Sequence, residues 1–119
     1  MRLWLDDVRP APEGWTWVKT VPEAKALVAE CMERGVAIEA MSLDHDLGMV
    51  VDAGSGVVLA QEKLAESGYQ FVCWLEAFNL WPPCQPTVHS VNPVGRARML
   101  QAIERHYASE EYIVWRSGS

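Results

Sequence analysis

Carboxylates and imidazoles, the side chains best suited to bind a metal or move a proton, occur in three short clusters of this sequence. The clusters are Asp6-Asp7, Asp44-His45-Asp46, and His89-Ser90 followed by Asn92. Each cluster comes directly after a short apolar run that is typical of a buried strand. Polar residues at the carboxyl ends of parallel strands are the usual ligand-binding residues of α/β proteins. The pattern therefore predicts one polar site built from three strand ends.

The acidic residues of these clusters are suited to a divalent cation. Neighbouring carboxylates repel one another unless a cation or a proton lies between them. Oxygen ligands suit Mg²⁺, which keeps water molecules that a phosphate can replace, and Mn²⁺ fits equally well. We predict that Asp6, Asp7 and Asp44 hold Mg²⁺ or Mn²⁺. Asp46 has three open roles: a fourth metal ligand, a partner that orients His45, or a side chain facing water.

The histidines of the clusters are candidate proton-transfer groups. Imidazole titrates near neutral pH, so one of His45 and His89 could activate water while the other protonates a leaving oxygen. Asp44 joins them as a candidate catalytic residue, either as a nucleophile or as a metal ligand only. His106 falls within a helical pattern and is predicted to have a surface or packing role.

Four further side chains are candidates for binding phosphate: Arg9, Ser90, Asn92 and Arg116. Arg9 follows Asp7 by two residues, and a guanidinium matches the geometry of phosphate oxygens. Asn92 precedes Pro93 and is equally well explained as a helix N-cap. Both roles are compatible, because the first turn of a helix attracts anions.

Alternating patterns place these clusters on a predicted fold. Strands are predicted at residues 3–5, 38–43, 86–90 and 112–115, with a brief extended segment at 15–18. Helices are predicted from Thr20 to near Gly35, over residues 69–78, and from Asn92-Pro93 onward. The segment 49–67 is less regular and contains a helical stretch up to Glu66. This alternation predicts an α/β domain with a parallel sheet.

Length and charge limit the possible functions. A chain of 119 residues is the size of one domain, and its net charge of −6 argues against an extended nucleic-acid-binding face. A small phosphate ligand remains compatible, because a bound cation inverts the local field. The odd number of cysteines, the absence of a signal-peptide pattern and the lack of a membrane-length apolar run predict a cytoplasmic protein. The sequence leaves the oligomeric state open.

Three motifs together resemble the cyclic-phosphate processing receiver domains, a divergent branch of the response-regulator receivers. They are Leu-Asp-Asp-x-Arg-x-x-Pro at 5–12, Ser-Leu-Asp-His-Asp-Leu-Gly at 42–48 and His-Ser-x-Asn-x-x-Gly-x-x-x-Met at 89–99. The resemblance implies a single receiver-like (flavodoxin-like) three-layer domain over residues 1–119, with an insertion at 49–67. Asp44 then corresponds to the phosphate-accepting aspartate of receivers. Ser90 matches their Ser or Thr, and Arg116 lies near their Lys.

The resemblance also implies a reaction, namely metal-dependent hydrolysis or processing of a cyclic phosphate of nucleotide or RNA-end type. Two alternatives stay open at this point. The domain could bind a phosphate compound without chemistry, or it could accept a phosphoryl group on Asp44 as a signalling module. An arginine at position 116 in place of the usual lysine argues against the signalling alternative.

Overall fold

A computed structural model describes residues 1–47, 49–51, 58–61 and 66–118, and it confirms the predicted receiver-like α/β class. The elements in chain order are β1 (Arg2–Leu5), β2 (Thr16–Val18), α1 (Val21–Arg34), β3 (Ala40–Leu43), β4 (Met49–Val51), β5 (Val58–Gln61), α2 (Gly68–Phe78), β6 (Thr87–Val88) and α3 (Pro93–Gly118).

Four of the strands form a parallel sheet in the order β2-β1-β3-β6. The register pairs Leu5 with Leu43, and Leu43 with Val88, so the last residues of β1, β3 and β6 lie side by side. The residues that follow these strands are therefore delivered to one edge of the sheet, as the sequence predicts. β4 and β5 pair antiparallel in a separate two-stranded sheet.

The core lies on one face of the parallel sheet. Leu3 and Leu5 of β1 alternate with Trp4 and are fully buried, as expected for one face of a strand. Buried residues of all three helices join the same hydrophobic cluster, including Val28, Phe71 and Ile103 in α1, α2 and α3. The described elements thus form helices on one side of a sheet. The described helices do not supply the third layer that the resemblance implies, since residues 6–15 link β1 to β2 without a helix.

Two helix boundaries follow local sequence signals. Thr20 Oγ1 accepts a hydrogen bond from the Glu23 backbone at 3.2 Å, and α1 ends at Gly35, whose φ of 70° favours glycine. At the start of α3, Asn92 Oδ1 accepts a hydrogen bond from the Gly95 backbone at 3.0 Å. The predicted caps at Thr20 and Asn92 are confirmed.

The predicted final strand is wrong, because residues 112–115 belong to α3. Aromatic and β-branched residues favour strands only weakly, and context overrides that preference. No glycine or proline lies between Arg96 and Ser117 to end the helix that precedes them. Arg116 consequently follows no strand. At a rise of about 1.5 Å per residue it lies roughly 35 Å along the helix from Pro93.

The predicted helical stretch before Glu66 is also wrong where the structure describes it. Residues 58–61 form β5, which pairs with β4 in a hairpin with an irregular register. Residues 62–65 lie outside the described part of the chain. Among the described residues, no helix is both long enough and apolar enough to cross a membrane.

Candidate metal and phosphate site

Three carboxylates meet where β1 and β3 end. Asp6, Asp7 and Asp44 each offer one oxygen, and these oxygens lie within 4.8 Å of one another. The Asp44 backbone N–H donates to the Leu5 carbonyl at 2.9 Å, which ties the ends of the two strands together. The structure therefore brings together the three residues that the sequence predicts as metal ligands.

Asp6 is only 1% exposed, and both of its carboxylate oxygens have hydrogen-bond partners. Its Oδ1 accepts hydrogen bonds from the backbones of Val8 and Arg9, both at 2.8 Å. These bonds turn the chain immediately after β1. The second oxygen, Oδ2, lies 3.0 Å from His89 Nε2. A buried carboxylate needs such partners, and here they also fix its direction.

His89 has partners at both ring nitrogens. Nε2 contacts Asp6, and Nδ1 lies 2.8 Å from the buried hydroxyl of Ser42. The imidazole also stacks on Trp4, with ring centroids 4.0 Å apart and planes 7° apart. These contacts suit a residue that holds Asp6 in place.

His45 forms a second pair with Asp46 at the other side of the site. His45 Nδ1 lies 2.8 Å from Asp46 Oδ1, and Asn92 Nδ2 donates to the same oxygen at 3.1 Å. The imidazole packs on the first turn of α3 at Gly95, where an added Cβ would lie 2.3 Å from His45 Cγ. Asn92 thus caps α3 with its oxygen and holds Asp46 with its nitrogen.

Asp44 lies between these two pairs and has a perturbed acidity. Burial and the nearby charge of Asp6 raise the pKa of Asp44, while hydrogen bonds from the His45 backbone and the Ser90 side chain oppose that rise. These hydrogen bonds and the nearby charge of His89 do not offset the desolvation and the repulsion. A divalent cation among the three aspartates would supply further positive charge, so this donor set fits Mg²⁺ or Mn²⁺.

A cavity of about 150 Å³ opens beside the carboxylates. It is lined by Asp6, Asp7, Val8, Arg9, Asp44, Asp46 and Val91. All four predicted metal carboxylates and the predicted phosphate ligand Arg9 are thus at the cavity. Four other predicted site residues contact these carboxylates: His89 contacts Asp6, His45 and Asn92 contact Asp46, and Ser90 contacts Asp44.

Two predicted phosphate contacts, the first turn of α3 and Arg116, are not placed as the sequence predicts. The first turn of α3 has few amides to offer, because Pro93 has no N–H and those of Gly95 and Arg96 donate to Asn92. Arg116 is not delivered to the sheet edge, because it lies far along α3. Arg9 does line the cavity, and its Nη1 donates to the His89 carbonyl at 3.0 Å.

Several residues that support the site were not predicted from the sequence. Ser42 and Trp4 orient His89, and Gly68 allows α2 to approach Asp44, whose carbonyl would lie 1.9 Å from an added Cβ. The alternation of side chains between the two faces of a strand is the sequence signal that could have identified Trp4 and Ser42. Trp4 and Ser42 point away from the core face of their strands and are paired across β1 and β3.

Comparison with known families agrees with this geometry. A family model described as "Cyclic-phosphate processing Receiver domain" matches residues 1–105. That stretch includes every predicted site residue except Arg116. No curated protein and no solved structure matches the chain.

Proposed function

The chain belongs to the cyclic-phosphate processing receiver domain family, and from that premise we propose that it hydrolyses a cyclic phosphate to a phosphate monoester with the help of Mg²⁺ or Mn²⁺. The observation that supports this most is the meeting of Asp6, Asp7 and Asp44 in one cavity with Arg9. An acidic cavity repels a phosphate unless a cation is present. A divalent cation held by the three aspartates would neutralise the phosphate and act as a Lewis acid.

The protein's own residues divide into groups that face the cavity and groups that hold them. Arg9 faces the cavity and is placed to contact a phosphate oxygen. Asp46 also faces it, and we assign Asp46 the role of accepting the proton of the attacking water. As that water binds phosphorus, one ring P–O bond breaks, and the departing oxygen takes a proton from solvent.

The two histidines act in this scheme through carboxylates. His45 holds Asp46 by its Nδ1 and, because an imidazole nitrogen can accept or donate a proton, can share the proton that Asp46 receives. His89 holds Asp6 and has both ring nitrogens engaged, which suits positioning rather than proton transfer. This differs from direct proton transfer by both histidines, the simplest mechanism suggested by the sequence.

A second candidate function is supported by the hydrogen bond between Ser90 and Asp44. In a signalling module Asp44 would accept a phosphoryl group, and Ser90 would contact the phosphoryl oxygens. Treatment with acetyl phosphate tests this directly. A mass increase of one phosphate in the wild type, lost in Asp44→Asn, would favour the signalling function over hydrolysis.

The hydrolysis is tested by phosphorus NMR. The protein would be incubated with Mg²⁺ and a panel of 2′,3′-cyclic, 3′,5′-cyclic and 1″,2″-cyclic phosphates, with Asp44→Asn as control. Reactions with Mn²⁺ would be stopped with excess chelator before spectra are recorded. We expect one cyclic resonance to convert to a monoester, only with metal and only in the wild type. Unchanged resonances with both metals would contradict hydrolysis of these substrates, and conversion by Asp44→Asn would contradict the assigned site.

A further inference from the structure

Two exposed valines flank the acidic cavity. Val8 is 43% exposed and Val91 is 77% exposed, and both line the cavity whose other lining residues are charged. Single exposed apolar residues are common on protein surfaces and carry no information alone. Here, however, the two lie at the mouth of the same polar cavity. We name Val8 and Val91 the valine lips.

Each lip is fixed by neighbours that belong to the site. The Val8 backbone N–H donates to Asp6 Oδ1 at 2.8 Å. Val91 lies between Ser90, which contacts Asp44, and Asn92, whose side chain holds Asp46. The backbone on both sides of the mouth is therefore tied to the carboxylates. This leaves little freedom for the lips to turn away from the cavity.

The two lips follow different strands of the parallel sheet. Val8 follows β1 and Val91 follows β6, with β3 between these strands. Because neighbouring strands lie about 4.8 Å apart, β1 and β6 are roughly 10 Å apart. Arg9 spans the same gap, since its Nη1 donates to the His89 carbonyl at 3.0 Å. The lips therefore lie on either side of the end of β3.

We propose that the valine lips bind the base of a nucleoside cyclic phosphate while the phosphate occupies the acidic floor. This inference rests on the proposed function, because it takes the floor as the phosphate site. Apolar side chains on two sides favour a ligand that carries a flat, weakly polar group. A ligand without such a group, or with a strongly hydrated group there, would bind less well. The small cavity and the net charge of −6 favour a mononucleotide over a longer polyanion. Val8 and Val91 are thereby specificity-determining residues.

The test compares a nucleoside 2′,3′-cyclic phosphate with methyl ribofuranoside 2,3-cyclic phosphate, which keeps the cyclic phosphate and the ribose and lacks only the base. Dissociation constants would be measured with Mg²⁺ by ligand-observed NMR, alongside conversion. The wild type should bind the nucleoside compound at least tenfold more tightly. Val8→Thr and Val91→Thr keep the side-chain shape, and each should weaken nucleoside binding about threefold while leaving binding of the methyl ribofuranoside compound unchanged.

Val94→Thr is the matched control, because Val94 is 69% exposed on α3 and is not among the lining residues. It should leave both dissociation constants unchanged. Equal binding of the two compounds by the wild type, or equal losses for both compounds in the lip variants, would overturn the lip proposal while leaving hydrolysis intact. If neither compound binds or is converted, the proposed function fails, and the lip proposal fails with it.

Discussion

Two histidine–aspartate pairs lie at the same edge of the sheet, and they differ in burial and in partners. In the closed pair, His89 and Asp6, the carboxylate is 1% exposed and the imidazole is held by Ser42 and stacked on Trp4. In the open pair, His45 and Asp46, the carboxylate is 24% exposed, whereas the two imidazoles are about equally exposed, at 17% for His45 and 16% for His89.

The difference shows how one chemical pair can serve two purposes. In the closed pair both imidazole nitrogens are engaged, so the pair fixes the direction of Asp6 toward the carboxylate cluster. Carboxylates and histidines that orient a metal ligand often matter nearly as much as the ligand. In the open pair Asp46 lines the cavity and exchanges with solvent more easily, which suits proton transfer. The burial of the carboxylate and the partners of the imidazole, rather than residue type, separate the two proposed roles.

Replacing each histidine in turn by alanine distinguishes the two pairs most clearly. His89→Ala leaves Asp6 Oδ2 and Ser42 Oγ without that partner and removes the stacking on Trp4, so we expect a loss of about 3 kcal/mol in the free energy of unfolding. His45→Ala should cost about 1 kcal/mol, since Asp46 keeps the Asn92 hydrogen bond and stays partly solvated. Urea unfolding with chelator present measures both.

The same two variants should differ in metal binding. His89→Ala is expected to weaken metal affinity about 10- to 100-fold, whereas His45→Ala should leave it nearly unchanged. Equal stability losses together with equal metal affinities would mean that the pairs are equivalent, which contradicts the comparison.

Adding a methyl group at Gly95 should disturb the open pair and leave the closed pair unchanged. The Cβ of Gly95→Ala would lie 2.3 Å from His45 Cγ, so the imidazole must shift away from Asp46. We expect a net loss of about 1 kcal/mol, because overpacking outweighs the gain in helix propensity. Imidazole NMR signals of His45 should move while those of His89 stay in place. Val94→Ala, in the same helical turn, is the control, and movement of both sets of signals would show that the pairs are coupled.

The smallest expected effect concerns Asp44, which lies between the pairs. Its pKa is raised from the ordinary 3.8 by burial and by the charge of Asp6. The folded protein then binds more protons than the unfolded chain between 3.8 and that raised value, so the stability contributed by Asp44 falls as pH rises through this window. Metal-free Asp44→Asn should gain stability over the wild type as pH rises to 7. Parallel pH profiles for the two proteins, measured by thermal unfolding with chelator, would contradict this sign.

Much of the site could be predicted because its residues follow strands. Short apolar runs ending in Asp6, Asp44 and His89 are local signals, and the parallel sheet aligns their ends. The caps at Thr20 and Asn92 are equally local. The candidate metal residues could therefore be identified before their distances were known.

The roles of the histidines could not be predicted in the same way. Their partners depend on packing between distant segments, since Ser42 and Asp6 are 47 and 83 positions from His89 in the sequence. The end of α3 was mispredicted for a related reason. Residues 112–115 have the composition of a strand, but they continue a helix that no breaking residue stops.

Mn²⁺ titration followed by electron paramagnetic resonance tests most directly whether Asp6, Asp7 and Asp44 form a divalent-cation site. The free Mn²⁺ signal should fall in proportion to one site per wild-type chain. Asp6→Asn, Asp7→Asn and Asp44→Asn should each weaken binding by more than about tenfold, whereas Asp46→Asn should bind nearly as the wild type does. A wild type that leaves the Mn²⁺ signal unchanged, or a loss confined to Asp46→Asn, would contradict the account.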